Sequence, residues 1–255
     1  MMYYQIGAPS KYFIGLENYK QLVTDPEFLI SLKNTFIYVA TYVPAVILLS
    51  LILALLLNTI HRGAGIYRAI YFAPVMTAGV AVAIIWRFVL HPSLGPANQV
   101  LRALGLPPSD WLVGASTAMP SMVLVSVWQS MGFQTILFLA GLKGIPQHFY
   151  DAAKIDGAGR WQCFRHITWP LLQHTTLFVT ITTIIGSFQI FTLAYLFGRM
   201  GGPGNSLLVV VSYIQHEVMS RGNLGYASAI AVVLFVIILF FTVMQLKVGR
   251  VRWQY

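Results

Sequence analysis

Tyr150-Asp-Ala-Ala-Lys-Ile-Asp-Gly-Ala-Gly-Arg160 is followed by Phe164-Arg165-His166-Ile167-Thr168-Trp169-Pro170. Both stretches lie between two long apolar runs, Ala118–Ala140 and Thr175–Phe197. A charged segment of this length has no stable place in hydrocarbon, where polar groups find no water. It reads as a loop outside a bilayer, and the flanking runs read as membrane spans. Local signals give the loop a shape. Pro146 suits the first turn of a helix. Ala153 and Gly157 are four apart, which puts both on one helical face nearly bare of side chain. Asp156 and Arg160, also four apart with the acid first, are in the favourable order for a surface pair. Gly157 and Gly159 permit a turn, and a second short helix then runs to Pro170, which is expected to end it. A small-residue face on a loop helix suits close docking by another protein.

Working outward, the remaining apolar runs complete an all-helical, polytopic transmembrane bundle. Spans are expected at about 32–57, 69–90, 118–140, 175–197 and 227–246. Each reaches the roughly 20 residues needed to cross. Pro44 in the first is tolerable in a packed membrane helix. In the second, Pro74 lies near the start, and Trp86 and Arg87 lie near the end, where an aromatic belt and a snorkelling cation belong. Residues 1–31 are too polar to span and read as an external N-terminal segment, a loop with a short helix that takes in Asp25-Pro26-Glu27-Phe28. The membrane-spanning body then covers 32–247, with the docking loop at about 142–174 and a basic tail at 248–255. Residues 91–117 and 198–226 read as loops.

The composition agrees. Of 255 residues, 57% are hydrophobic and 9% charged, with mean hydropathy +0.72. Soluble domains carry about 25% charged residues. The net charge of +9 sits in short loops between apolar runs, so membrane topology accounts for it better than nucleic-acid binding. The single cysteine, Cys163, excludes an internal disulfide. No cleavable signal peptide is visible, because no basic start precedes an apolar core in the first thirty residues.

The basic residues also orient the chain. Arg62, Arg68, Lys143, Lys154, Arg160, Arg165, Lys247, Arg250 and Arg252 share one side with only two acids, Asp151 and Asp156. The other side holds Lys11, Lys20, Arg102, Arg199 and Arg221 with five acids. The positive-inside rule places the docking loop and C-terminus in the cytoplasm and the N-terminus outside.

Asp151-Ala152-Ala153, Gly157 and Ile167-x-Trp169-Pro170 resemble the cytoplasmic loop of ABC importer permease subunits. That loop reads Glu-Ala-Ala, three residues, Gly, nine residues, Ile-x-Leu-Pro. Asp stands here for Glu, and Trp for Leu. Tyr67-Arg68-Ala69, Trp128-Gln129-x-x-Gly132-Phe133, Ala140-Gly141-Leu142, Ser187-Phe188-Gln189-x-Phe191 and Gly201-Gly202-Pro203 resemble the carbohydrate and glycerol-phosphate branch. They follow in the family's order across nearly the whole chain. The usual Phe-Asp of the fourth span is Phe191-Thr192. Family members usually have six spans and a cytoplasmic start, so either a first helix is missing before Met1 or this version works with five.

The resemblance implies a bacterial or archaeal inner-membrane protein forming half of a pathway for a sugar, an oligosaccharide or glycerol phosphate. Its partners would be a second permease subunit, two ATPase subunits and an external solute-binding protein. ATP and Mg would be bound by the ATPases, and this chain would carry no cofactor and no catalytic residues. The ATPase-coupling residues would be Tyr150, Asp151, Ala152, Ala153, Asp156, Gly157, Arg160, Ile167 and Pro170. Polar residues within spans are functional candidates, so Gln129, Gln134 and Gln189 are expected to meet sugar hydroxyls. Trp128, Phe133 and Phe188 are expected to stack on sugar faces, although interhelical packing accounts for the same residue types. His148, His166 and His174 share a loop without metal-site spacing. Asp156-Gly157-Ala158-Gly159-Arg160 faintly resembles the core of CDP-alcohol phosphotransferases, but no further aspartate follows it. No GxSxG, HExxH or GxxxxGK[ST] is present. A secondary transporter should show charged midplane residues, and these are lacking. A membrane enzyme is the other alternative.

Overall fold

The computed structural model describes residues 2–3, 12–60, 63–199 and 201–249. Arg62, Lys11, Arg250 and Arg252, used above for orientation, lie outside them, as does most of the tail. Apart from a two-residue antiparallel pairing of Met2–Tyr3 with Tyr12–Phe13, the described chain is helical. In order come α1 (Glu17–Thr24), α2 (Pro26–Asn58), α3 (Ala64–Met76), α4 (Gly79–Val89), α5 (Pro96–Ala103) and α6 (Ala118–Lys143). Then follow α7 (Gln147–Ile155), α8 (Arg160–Cys163), a π-helical turn at Phe164–Thr168, α9 (Trp169–Leu171), α10 (Gln173–Phe188), α11 (Thr192–Gly198), α12 (Val210–Met219) and α13 (Leu224–Val248).

Pro26–Asn58, Ala118–Lys143, Gln173–Gly198 and Leu224–Val248 are each long and apolar enough to cross a membrane. The second expected span differs. It is a bent pair, Gly65–Met76 and Gly79–Val89, and counting it as one span makes five. Pro74, which offers no amide hydrogen, and Gly79 bracket the interruption, and Ala78 between them is extended (φ −57°, ψ 130°). The first span also starts earlier than hydropathy suggested, at Pro26. Asp25 is its cap: Oδ1 accepts the Glu27 amide at 2.9 Å and the Phe28 amide at 3.3 Å, and Pro26 occupies the first helical position. The two segments read as loops contain helices α5 and α12.

The chain folds into two compact units. The first draws on Met1–Tyr42, Thr77–Ser126 and Gly186–Phe240. Within it α4 packs on α11. Asn98 organises the Pro/Gly-rich connection. Its amide nitrogen donates to the Pro92 carbonyl at 2.8 Å and the Ser109 carbonyl at 2.9 Å. Its Oδ1 accepts from Ser109 N–H at 3.0 Å and Trp111 Nε1–H at 2.7 Å. A buried amide has two donors and two lone pairs, and all are matched. Side chains of α2 do the same for the segment before α12. Asn34 donates to the carbonyls of Asn205 (2.7 Å) and Leu208 (3.0 Å), and Thr35 Oγ1 accepts the Val210 amide (3.0 Å).

The second unit draws on Val43–Met76, Val127–Ile185 and Phe241–Tyr255. Its core joins Leu51 and Ala54 of α2, Phe138, Leu139 and Leu142 of α6, and Leu172 and Val179 at the far side of the polar loop after α6. Ser50 donates to the Met131 carbonyl at 3.0 Å. Gly132, from the Trp128–Phe133 motif, has the Tyr71 backbone carbonyl where a Cβ would stand. Only glycine lets α6 approach α3 this closely, the usual role of small residues between membrane helices.

Candidate functional site

The polar loop between α6 and α10 folds as two helical segments joined by a tight reversal. Pro146 is the N-cap of α7. At the other end the Ala158 amide reaches the Ala153 carbonyl at 2.8 Å, and the Gly157 amide reaches that of Lys154 at 3.1 Å. This is the Schellman pattern, which needs a left-handed residue just past the helix. Gly157 supplies it with φ +76°. Gly157 therefore lies beyond the helix rather than on a face shared with Ala153. Asp156 caps α7 and Arg160 opens α8, so their expected helical pairing does not form. The ion pair in α7 is instead Asp151 with Lys154, 3.5 Å apart and solvated, and such pairs contribute about 0–1 kcal/mol.

Pro170 does not end the second segment. The chain continues through α9 into α10, and the residues before the proline widen into the π-helical turn, with the Trp169 amide bonded to the Phe164 carbonyl. A proline leaves the carbonyl four residues earlier without its donor and crowds it, and a wider turn accommodates the ring. The two segments are braced. Tyr150 Oη and Thr168 Oγ1 are 3.0 Å apart, and Thr168 is buried. Gln162 Oε1 accepts the Gly159 amide at 2.7 Å.

No residue of α7 or α8 is buried. Asp151, Ala152, Asp156, Gly157, Arg160 and Pro170 are exposed, while Tyr150, Ala153 and Ile167 are half-buried. Ile155 is 88% exposed and Trp161 69%. Sequence reasoning passed over both, although large apolar residues in an otherwise polar loop were a usable signal.

The expected pathway residues fall in both units. In the second unit, α6 carries Trp128, Gln129 and Phe133 with substantial exposure, while Gln134 is buried and its Oε1 has no hydrogen-bond partner. In the first, Phe188 is buried and edge-on to Phe36, centroids 5.5 Å apart, which is a packing position. Gln189 is exposed at a feature the sequence did not reveal. The chain leaves the helix over 189–191 before α11 begins, and the amides of Gln189 and Ile190 close tight turns onto Gly186 (3.2 Å) and Ser187 (3.3 Å).

A second polar constellation lies in the first unit. Asp25 Oδ2 accepts from Tyr213 at 2.6 Å and Tyr226 at 2.5 Å. Arg221 bonds Glu27 at 2.6 Å, Tyr213 Oη at 3.3 Å and the buried Glu217, which also accepts from Asn223 at 3.1 Å. Burial works against the Asp25 carboxylate. The Tyr213 and Tyr226 hydroxyls and the Phe28 and Glu27 amides together outweigh it and hold its pKa below the usual range. Burial, the bond to Asp25 and the nearby Glu217 carboxylate push Tyr213 up. Burial also disfavours the Arg221 cation, but Glu27 and Glu217 overcome this and raise it. Among the described residues no group of three His, Cys, Asp or Glu side chains gathers to hold a metal.

Residues 28–252 match the family described as binding-protein-dependent transport system inner membrane component. The arabinooligosaccharides transport permease of Bacillus subtilis is 35% identical over 241 residues, covering 93% of this chain and 76% of that one. The trehalose/maltose transport permease of Thermococcus litoralis is 36% identical over 244 residues, covering 96% and 82%. A chain of the bacterial alginate ABC transporter, solved with an alginate pentasaccharide-bound periplasmic protein, superposes with TM-score 0.80 at 25% identity, covering 93% of this chain and 84% of that one. The chain belongs to this family: it is an inner-membrane permease subunit of an ABC transporter.

Proposed function

We propose that this permease forms half of the pathway of an ATP-driven importer for a saccharide, and that residues 150–170 dock on a separate ATPase. The observation that carries the docking assignment is the loop itself. It is braced internally by Tyr150 and Thr168, yet presents Ile155 and Trp161 to solvent. Saccharide transport is supported by the named substrates of the arabinooligosaccharide and trehalose/maltose relatives. A second permease subunit completes the pathway, two ATPases bind ATP and Mg, and an external binding protein delivers the ligand. The loop and C-terminus face the cytoplasm, as the described basic residues Lys143, Lys154, Arg160, Arg165 and Lys247 favour. ATP-driven closure of the ATPases moves the braced loop, and the membrane helices switch between two states, the minimum for coupling between distant sites. Gln129, Gln134 and Gln189 remain the polar candidates along the path. Gln189 is the strongest, because interrupted membrane helices place free backbone groups beside transported ligands.

The test is reconstitution with the partner subunits and binding protein in proteoliposomes. Uptake of trehalose, maltose or arabinotriose that requires ATP and stops with vanadate is expected. Uptake without the ATPases would instead mark a secondary transporter.

A further inference from the structure

A cleft of about 270 Å³ opens in the first unit, between the end of α11 and α12. Tyr195, Arg199, Asn205, Ser212, Gln215 and Glu27 contribute to its wall. Ser212 is the informative residue. It is only 5% exposed, it lines the cleft, and its Oγ has no hydrogen-bond partner. A buried hydroxyl left unpaired is unfavourable, and a helical serine ordinarily returns it to a carbonyl one turn back. Tyr195 adds an aromatic surface. It stacks on Phe191 with centroids 5.3 Å apart and remains 37% exposed. The charges are mixed: Arg199 and Glu27 both line the cleft, and Glu27 is already bonded to Arg221.

This lining discriminates among ligands. An anion would meet the Glu27 carboxylate, and a metal ion would find only one carboxylate and His216, beside a guanidinium. An apolar ligand would leave the amides and the Ser212 hydroxyl unmatched. An aromatic ring with hydroxyl, amide and charged hydrogen-bonding groups of both signs suits a ligand with C–H faces and many hydroxyls. The volume, near the lower limit of about 300 Å³ for small-molecule sites, fits one ring rather than an oligosaccharide. We propose that this cleft is a subsite for a single sugar ring of the transported saccharide, distinct from the candidates on α6 and at 189–191. The proposal rests on the saccharide reading above.

The test uses the intact transporter in lipid nanodiscs and proteoliposomes, with trehalose, maltose and arabinotriose as probes. Saturation-transfer NMR reads direct contact, and ATP-driven uptake reads the half-saturating concentration. Ser212→Ala removes the hydroxyl without adding bulk at this buried position. It should raise the half-saturating concentration about tenfold and weaken saturation transfer, with a melting temperature unchanged or higher. Tyr195→Ala, at an exposed position, should abolish transfer to the ring C–H protons. If the wild type takes up a probe and both variants match it in uptake and transfer, the subsite assignment is wrong while the saccharide reading stands. If the variants instead lose only binding-protein docking, the cleft receives a protein loop and the proposal is overturned. If the wild type neither contacts nor takes up any probe, the saccharide reading fails and the subsite with it.

Discussion

The Asp25 cluster and the docking loop both concentrate polar residues, but they use them in opposite ways. In the cluster, polar groups reach partners 188 to 201 residues away in sequence. They tie the start of α2 to α12, the turn after it and the first turn of α13. Every oxygen of the Asp25 side chain has a donor, so this carboxylate has little left to offer a partner. In the loop, the hydrogen bonds are local: a Schellman turn, the Gly159–Gln162 contact and the Tyr150–Thr168 brace. Among the side chains left outward are two large apolar ones, Ile155 and Trp161. Polar chemistry that closes on distant parts fixes a fold. Polar chemistry that closes on itself leaves a self-supporting element free to dock.

The comparison predicts unequal costs of mutation. The largest belongs to Asp25→Ala. It removes a helix cap, worth about 0.5–2 kcal/mol, and leaves the Tyr213 and Tyr226 hydroxyls without their shared acceptor, at about 1–3 kcal/mol. A loss of about 3 kcal/mol is expected, read as a lower unfolding temperature in detergent. An unchanged melt would mean the cluster is ornamental. The same carboxylate gives a pH signature. Its folded pKa is depressed, so its contribution is present above the unfolded value, near 3.9, and is lost as pH falls through the folded one. Wild type should therefore lose stability below about pH 4 more steeply than Asp25→Asn, and parallel acid profiles would contradict the assignment.

Smaller effects belong to the loop. Gly157→Ala forces an L-residue into a left-handed conformation at a cost of about 1–2 kcal/mol, although its Cβ meets nothing within 4 Å. The cost should appear as faster amide exchange at Ala158 and Gly157, with the membrane helices unaffected. Tyr150→Phe should lose about 1 kcal/mol of local stability. It should loosen α7 in hydrogen exchange and leave the global melt within error. A global melt that fell as far as for Asp25→Ala would erase the distinction between the two regions.

Much of this architecture could be read from sequence, because apolar length and loop charge are local properties. The family motifs and the loop's place between two apolar runs were legible for that reason, whereas Gly157, expected on a helical face shared with Ala153, instead closes the turn beyond α7. The Asp25 cluster was not, since Asp25-Pro26-Glu27 reads as an ordinary loop until Tyr213, Arg221 and Tyr226 are known to lie beside it. The breaks at 77–78 and 189–191 also escaped, because hydropathy averages over a window longer than the interruption. Pro170 misled in the other direction: a proline ends a helix only when the preceding turn cannot widen. Phe188 looked like a pathway residue by its motif, and its burial against Phe36 became visible only in three dimensions.

The docking assignment is tested most directly by Ile155→Glu. The side chain is almost fully exposed, so a charge there should leave folding intact. If Ile155 is buried against the ATPase, removing it should cost about 1.5–3 kcal/mol of association, ten- to a hundredfold in affinity. The measurement is copurification of the ATPase with the membrane subunits, alongside the thermal melt. Loss of the ATPase at an unchanged melting temperature is the expected result. An Ile155→Glu permease that keeps its ATPase in full would contradict the account of this loop as the docking element.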